Sequence, residues 1–366
     1  MAQINRRIIK IPAGIFLVIC FFVIVSGIVF LRGSVVNDDH GVRYTVPAGA
    51  SIRSVTQDLY ALNIIRHPVL FDLLVNLEGN RHELKAGEYL FPKGTTPLSL
   101  LYQITHGTGM YHYSFTFIAG WNFRHLRDML EKEPDLQHTS ALMSDTAIMT
   151  YLGESTMSPE GRFFPDTYFF TKGSSDLLLL KRAFQKMQKT LNAAWQTREL
   201  GLPYDTQNEA LIVASLVEKE TGLARERPMI AGVIVNRLRK NMLLQIDPTV
   251  IYAAGANYDG TIYKKDLLSD NPYNTYKHKG LPPTPIAIPG LESINAALHP
   301  QHHGYYYFVA KNNSAASEGH QFSATLVEHN TAVTIAHENQ IWMNNELISL
   351  YFVKTLGPIR DITHAK

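Results

Sequence analysis

The segment that most constrains the fold is residues 211–222, which read LIVASLVEKETG. This pattern predicts an apolar helix that ends in two carboxylates, Glu218 and Glu220. A carboxyl at the end of an apolar helix is held where its pKa can rise, and a carboxylic acid with a raised pKa can donate a proton near neutral pH. A proton donor of this kind is the central requirement for cleaving a glycosidic bond.

Helical phase separates the two carboxylates. A rotation of about 100° per residue places Glu218 on one side of the helix and Glu220 nearly opposite, so they do not form a paired dyad. Small residues on the Glu218 side, namely Ala214, Ser215 and Gly222, leave room for a bulky ligand, and Glu218 is therefore the candidate acid. Glu220, followed by Thr221 and a C′ glycine, is more typical of a helix terminus. For either residue the alternative is a solvated helix end.

Residues 11–31 contain no charged side chain, and a helix that spans a bilayer needs about 20 apolar residues. Arg6, Arg7 and Lys10 precede this stretch, and Asp38 and Asp39 follow it after Arg32. The positive-inside rule then predicts a transmembrane helix at 11–31 in the inner membrane, with residues 1–10 cytoplasmic and the C-terminal body in the periplasm. The alternative is a cleaved signal peptide, whose apolar core is normally about 7–15 residues long.

Composition excludes several classes of function. The net charge is +2, which gives no field for nucleic acid, and the only cysteine, Cys20, lies in the apolar stretch. The histidines at 299, 302, 303, 320 and 329 match no zinc signature, so no metal is expected. No serine nucleophile elbow, P-loop or dinucleotide fingerprint is present, and no cofactor is expected.

The organisation of the chain predicts an α+β protein. After a linker at 32–42, residues 43–107 predict a strand–helix–helix–strand module, with Ser51 and Thr96 placed as N-caps and Pro97 at a first helical position. This module resembles a LysM-like peptidoglycan-binding domain, and the alternative is a structural spacer. Residues 108–345 predict a mixed α+β catalytic region, in which Asn122 is a further N-cap, and 346–366 form a C-terminal tail.

Polar and aromatic residues beyond the helix are candidates for binding substrate. Gln245 could border a groove, while Asp247 before Pro248 is typical of an N-cap. A Pro-rich loop at 271–286 carries further candidates, which could stack on sugar faces or hydrogen-bond to hydroxyl and N-acetyl groups, and a later segment could line the same cleft as Glu218. These candidates are Asn274, Thr275 and Tyr276 in the loop, and His320 and Phe322 in the later segment. The alternative for the loop is a packed structural role.

Several segments together resemble one family, the YceG-like endolytic murein transglycosylases. They keep their order and spacing over nearly the whole chain after residue 31. The segments are residues 85–89 (KAGEY), 160–168 (EGRFFPDTY), 214–222 (ASLVEKETG), 236–238 (NRL), 244–252 (LQIDPTVIY), 272–276 (PYNTY), 280–286 (GLPPTPI), 319–322 (GHQF) and 328–330 (EHN).

The resemblance implies a lyase that cleaves the β-1,4 bond between N-acetylmuramic acid and N-acetylglucosamine inside nascent glycan strands, leaving a 1,6-anhydromuramoyl end. It places the catalytic acid at Glu218, which acts first as acid and then as base. It also implies peptidoglycan strands, the membrane and peptidoglycan synthases as partners. Two alternatives stay open: a muramidase that uses Glu218 with Glu220 or Asp247, and a non-catalytic, membrane-anchored scaffold that binds peptidoglycan.

Overall fold

The computed structural model describes residues 13–79, 84–311 and 319–336. Two compact units divide the chain. Unit 1 contains the residues up to 114 together with 169–174, and unit 2 contains 115–168 together with the residues from 175 onward.

Unit 1 pairs two strands through helical connections. The strands β1 and β2 are antiparallel, with Tyr44 opposite Tyr89. The strand–helix–helix–strand order predicted for residues 43–107 is present. The elements up to β2 and the following helix are α1 (Ala13–Arg32), β1 (Val42–Val46), α2 (Ile52–Ala61), α3 (Pro68–Glu78), β2 (Gly87–Phe91) and α4 (Pro97–His106). Their core is apolar and includes Phe71, Tyr89 and Phe91.

The predicted N-caps are confirmed. The hydroxyl of Ser51 accepts from the backbone N–H of Ser54 at 3.1 Å, and Thr96 accepts from Ser99 at 3.2 Å. Pro97 is the first residue of α4. In unit 2, the side chain of Asn122 caps the next helix in the same way.

The membrane-spanning helix predicted at residues 11–31 begins outside the described residues, and its described part forms α1. Within the part of the chain that the structure describes, no helix is long and apolar enough to cross a membrane. The predicted span is therefore not confirmed. The predicted cytoplasmic segment 1–10 and the tail 346–366 lie outside the described residues.

The remaining elements combine many helices with few short strands, so the predicted α+β class is confirmed. The strands are β3 (Tyr113–Thr116), β4 (Leu136–Gln137), β5 (Thr167–Phe170), β6 (Ser174–Ser175), β7 (Tyr307–Ala310) and β8 (His320–Ser323), and β7 pairs with β8 antiparallel. The helices are α5 (Phe123–Glu131), α6 (Asp145–Tyr151), α7 (Asp176–Gln196), α8 (Gln207–Glu220), α9 (Arg227–Arg239), α10 (Asp247–Ala254), α11 (Lys264–Leu267) and α12 (Leu291–Leu298), with 3-10 turns at Ala224–Glu226 and Gly255–Asn257.

Helix α8 is the centre of unit 2. Every residue from 210 to 217 is buried, and the helix packs against α7, α9, α10 and α12. The helix begins with a capping box, in which the side chains of Thr206 and Glu209 each accept a hydrogen bond from the backbone N–H of the other residue. At its other end the C-cap Thr221 is extended (φ −146°), so Gly222 has the predicted C′ position, but its φ is not left-handed. The buried part of α8 thus fixes the positions of Glu218 and Glu220 at its C-terminal end.

Candidate active site

The carboxylate of Glu218 is surrounded by donors. The backbone N–H of Gly290 and the hydroxyl of Ser293 donate to its Oε2 at 2.9 and 2.7 Å, and Arg227 Nη2 lies 3.4 Å from its Oε1. Only 8% of the Glu218 side chain is exposed. These contacts fasten the end of α8 to the first residue of α9 and to the start of α12.

The space predicted over Glu218 is filled at Ala214 and Ser215 but open at Gly222, where an added side chain would meet no other atom within 4 Å. Ala214 and Ser215 are fully buried, and the Ser215 hydroxyl accepts from the backbone N–H of Ile286 at 3.1 Å. The loop 280–286 thus covers the small residues that were expected to leave room for a ligand. Glu218 has the environment of a structural carboxylate, held by hydrogen bonds and by an arginine.

Glu220 has a different environment. Its pKa is raised to about 8, first by burial and then by the negative charge of Asp247, against the opposing effect of Arg237. The side chain is partly exposed. A glutamic acid with this pKa keeps its proton at neutral pH and can still reach a ligand, which is the combination a general acid needs. Glu220 is therefore a second candidate for the acid, and the assignment of Glu218 stays a prediction.

Asp247 is the carboxylate beside Glu220. The N-cap of α10 is Ile246, so the capping role predicted for Asp247 is wrong. Its Oδ1 instead accepts a hydrogen bond from the hydroxyl of Tyr276. Asp247 is exposed and Tyr276 is partly exposed, so this pair lies at the surface. Two carboxyl groups are thus close enough to influence each other, and the exposed one favours protonation of the other.

Gln245 is held in a rare conformation near these residues. Its φ is +50°, in the left-handed region that non-glycine residues seldom adopt, and such positions often occur at functional sites. Its backbone N–H donates to the carbonyl of Thr275 at 3.1 Å, and its Oε1 accepts from Arg237 at 3.2 Å. Residues 243–246 form no strand, because Gln245 turns the chain.

Arg237 organises this region and was missed as a functional candidate. It is 8% exposed, donates to the carbonyls of Leu244 and Tyr306 at 2.7 and 2.6 Å, and stacks 5.1 Å from the ring centre of Tyr307. The only sequence signal for it was the motif at 236–238. It positions the Gln245 segment and places one positive charge near Glu220.

Two predicted substrate-binding residues are structural instead. Asn274 is fully buried, and its side-chain amide donates to the backbone carbonyls of Asp266, Leu267 and Ser269. Thr275 is 2% exposed, and its hydroxyl accepts from the backbone N–H of Ile246 at 2.9 Å. Neither side chain can reach a ligand, because both are used to hold the loop. Of the three loop candidates only Tyr276 faces the Glu220 region.

His320 and Phe322 lie on β8 and have other partners. His320 Nδ1 is 2.8 Å from the carboxylate of Glu226, which also accepts from the backbone N–H of His320 at 2.9 Å. Phe322 packs near Phe308, with ring centres 6.0 Å apart. These contacts join the β7–β8 hairpin to the turn that follows α8. His320 therefore has a structural role, and the contacts described for His320 and Phe322 do not involve Glu218.

Comparison with known proteins identifies the family of this chain. The YceG-like family matches residues 44–335, and the chain belongs to that family. It is 32% identical to the endolytic murein transglycosylase of Bacillus subtilis strain 168, over 80% of this chain and 83% of that protein. It is 25% identical to the endolytic murein transglycosylase of Streptococcus pneumoniae D39, over 83% of this chain and 59% of that protein.

A solved structure has the same fold. The crystal structure of a YceG-like protein from Listeria monocytogenes is 29% identical in sequence, with a TM-score of 0.53. The alignment covers 80% of this chain and 99% of that one. The family resemblance seen in the sequence is therefore confirmed by both comparisons.

Proposed function

We propose that this protein is an endolytic lytic transglycosylase that cleaves the β-1,4 bond between N-acetylmuramic acid and N-acetylglucosamine in peptidoglycan strands. The family and the names of its relatives support the reaction class. The observation that carries the chemistry is the pair of neighbouring carboxyl groups, in which burial and the negative charge of the exposed Asp247 raise the pKa of Glu220.

Glu220 acts first as an acid. It donates its proton to the glycosidic oxygen as the bond between that oxygen and C1 of the muramoyl residue breaks, and the N-acetylglucosamine side leaves as an alcohol. Charge develops on C1 and the ring oxygen as in other glycosidic cleavages. The exposed carboxylate of Asp247 lies near enough to Glu220 to stabilise that positive charge.

Glu220 then acts as a base. The C6 hydroxyl of the same muramoyl residue attacks C1, and its proton passes to the Glu220 carboxylate, which restores the acid form. The product carries a 1,6-anhydro bridge and no water is consumed. One titrating carboxyl is sufficient for both steps, because the nucleophile is part of the substrate.

A muramidase is the second candidate. Asp247 favours it, since a hydrolase needs a second carboxylate to act as nucleophile or to activate water. The two reactions differ in the mass of the product, because hydrolysis adds one water and closure of the anhydro ring adds none.

We further propose that the charge-free residues 11–31 hold the protein in the inner membrane, with unit 2 in the periplasm. The sequence supports this through the length of the stretch and the basic residues before it. Membrane fractionation and protease accessibility of intact spheroplasts test it. A protein recovered entirely in the soluble fraction would contradict it. Peptidoglycan synthases, which produce the nascent strands, are the proposed protein partners, and cross-linking in cells tests that contact.

The strand–helix–helix–strand part of unit 1 is proposed to be a LysM-like module that binds glycan. Its support is the antiparallel β1–β2 pair connected through α2 and α3. Sedimentation of the catalytically inactive full chain with insoluble peptidoglycan tests this role. Equal binding after substitution of exposed residues throughout the module would contradict it.

Mass spectrometry of digested peptidoglycan tests the reaction itself. Purified glycan strands are incubated with the protein, and the ends of the fragments are analysed. The proposal predicts internal fragments with 1,6-anhydromuramoyl ends. Fragments with reducing muramoyl ends would identify a muramidase, and intact strands would support the non-catalytic scaffold.

A further inference from the structure

Unit 2 also contains a charged cleft, which lies next to the Glu220 site. Its volume is about 650 Å³, and its walls include one face of α5, Lys219 on α8 and Pro248 on α10. Lys219 immediately precedes Glu220, and Pro248 immediately follows Asp247. The same two helix ends therefore carry the candidate catalytic pair and one wall of the cleft.

Charges of both signs are presented along the cleft. Arg124, Asp128 and Glu131 are exposed on α5 and stand three or four residues apart, so they share one face of that helix. Lys219 is exposed at the rim, where its ammonium group donates to the carbonyl of Gly120 at 3.3 Å. The cleft thus offers two cations and two carboxylates to a ligand.

Other charged groups of the cleft are used to build it. Arg127 pairs with Asp145 at 2.8 Å and donates to the carbonyl of Met143 at the same distance. The buried carboxylate of Asp176 accepts from the backbone N–H and the hydroxyl of Ser140. These contacts fix the walls and leave the exposed side chains of α5 for a ligand.

The floor of the cleft is a buried carboxyl group. Glu160 is 4% exposed, and both of its oxygens accept from the backbone N–H of Phe123, at 3.0 and 3.1 Å. The hydroxyl of Tyr252 also donates to it, at 3.0 Å. Burial raises the pKa of Glu160 to about 7 against these hydrogen bonds. A polar group built into the floor of a cavity is typical of a ligand site.

We propose that this cleft binds the peptide stem of the muramoyl residue whose glycosidic bond is cleaved. This inference rests on the proposed function. Stem peptides carry carboxylates and a free ammonium group, whereas the sugars at the bond are uncharged, because the lactyl carboxyl forms the amide bond to the peptide. Arg124 and Lys219 match the carboxylates, and Asp128 with Glu131 match the ammonium.

The lining favours a peptide over a further stretch of glycan. Sugar rings are held chiefly by stacking on aromatic faces and by neutral hydrogen-bonding groups. The two large aromatic residues here are already used, since Phe123 is 3% exposed and Tyr252 packs against Tyr273 with ring centres 4.8 Å apart. The exposed charged side chains of Arg124, Asp128, Glu131 and Lys219 are available to a ligand instead.

The test compares two substrates that differ only in the stem. Glycan strands with intact peptides, and the same strands stripped by an amidase, are digested by the full chain, and kcat/KM for anhydro-end formation is measured on each. We expect a preference of about tenfold for peptide-bearing strands, as one or two charge-assisted hydrogen bonds would give. Arg124→Ala and Asp128→Ala are expected to reduce that ratio at least about threefold.

Lys189→Ala is the matched control, because it removes one charge from an exposed position on α7 and is expected to keep the ratio. A wild-type ratio of one, or Arg124→Ala and Asp128→Ala variants that slow both substrates in the same proportion, would overturn the peptide site. No anhydro ends from either substrate would contradict the proposed function instead, so the two failures are distinguishable.

Discussion

Replacing Glu220 with glutamine should remove a pH dependence of the free energy of unfolding that Glu220 gives to the wild-type protein. The folded protein holds the proton of Glu220 up to about pH 8, while an unfolded chain releases it near the ordinary value of 4.5. Between these values the folded state binds more protons, so the free energy of unfolding falls as the pH rises. Glutamine has a similar shape and does not titrate, so this loss should disappear in the variant.

The magnitude follows from the difference between the two pKa values. Each pKa unit corresponds to about 1.4 kcal/mol, which gives an upper bound of about 5 kcal/mol between pH 5 and pH 9. Because the Glu220 side chain is partly exposed, solvent reduces this to about 2 kcal/mol. For a unit of this size, the Tm of the variant minus that of the wild type should therefore increase by about 4–8 °C from pH 5 to pH 9.

The assay is thermal unfolding of Glu220→Gln and the wild-type protein at pH values from 5 to 9. The difference in Tm between the two should grow with pH in favour of the variant. Glu78→Gln, at an exposed position on α3, controls for the removal of one carboxyl group. If the difference in Tm between Glu220→Gln and the wild type stays constant from pH 5 to pH 9, the reasoning that burial and Asp247 raise the pKa of Glu220 is refuted.

Three more substitutions test other parts of the structure. Asp247→Asn removes the negative charge that raises the pKa of Glu220, so the fall in activity at high pH should move to lower pH; a pH–rate profile measures this. Asn274→Ala leaves three backbone carbonyls without their donor and should cost about 2–4 kcal/mol in denaturant unfolding. Ser51→Ala removes an N-cap and should cost about 1 kcal/mol, whereas Ser54→Ala should cost less.

Local sequence patterns predicted much of the fold. Apolar periodicity and polar residues before it identified α8 and the caps at Ser51, Thr96 and Asn122, because these features depend on residues within one or two turns. The strand–helix–helix–strand order of unit 1 followed from the same signals. Asp247 was misread for this reason, since a partner 29 residues away, Tyr276, engages it in place of the local backbone.

The roles of the two glutamates could not be predicted from helical phase alone. Phase separated them, and the small residues on one side suggested open space there. The structure fills that side with residues distant in sequence, namely Ser293 and Gly290 against Glu218 and Ile286 against Ser215. The charge of Asp247 beside Glu220, which helps to raise the pKa of Glu220, is likewise a tertiary contact.

The most direct test of the account compares Glu218→Gln with Glu220→Gln in the digestion assay, with folding of both variants checked by circular dichroism. The account predicts that Glu220→Gln forms no 1,6-anhydromuramoyl ends although it is folded. Folded Glu218→Gln should retain the reaction, at a rate reduced by the loss of its contact with Arg227. Anhydro ends formed by Glu220→Gln at the wild-type rate would contradict the assignment of the catalytic acid.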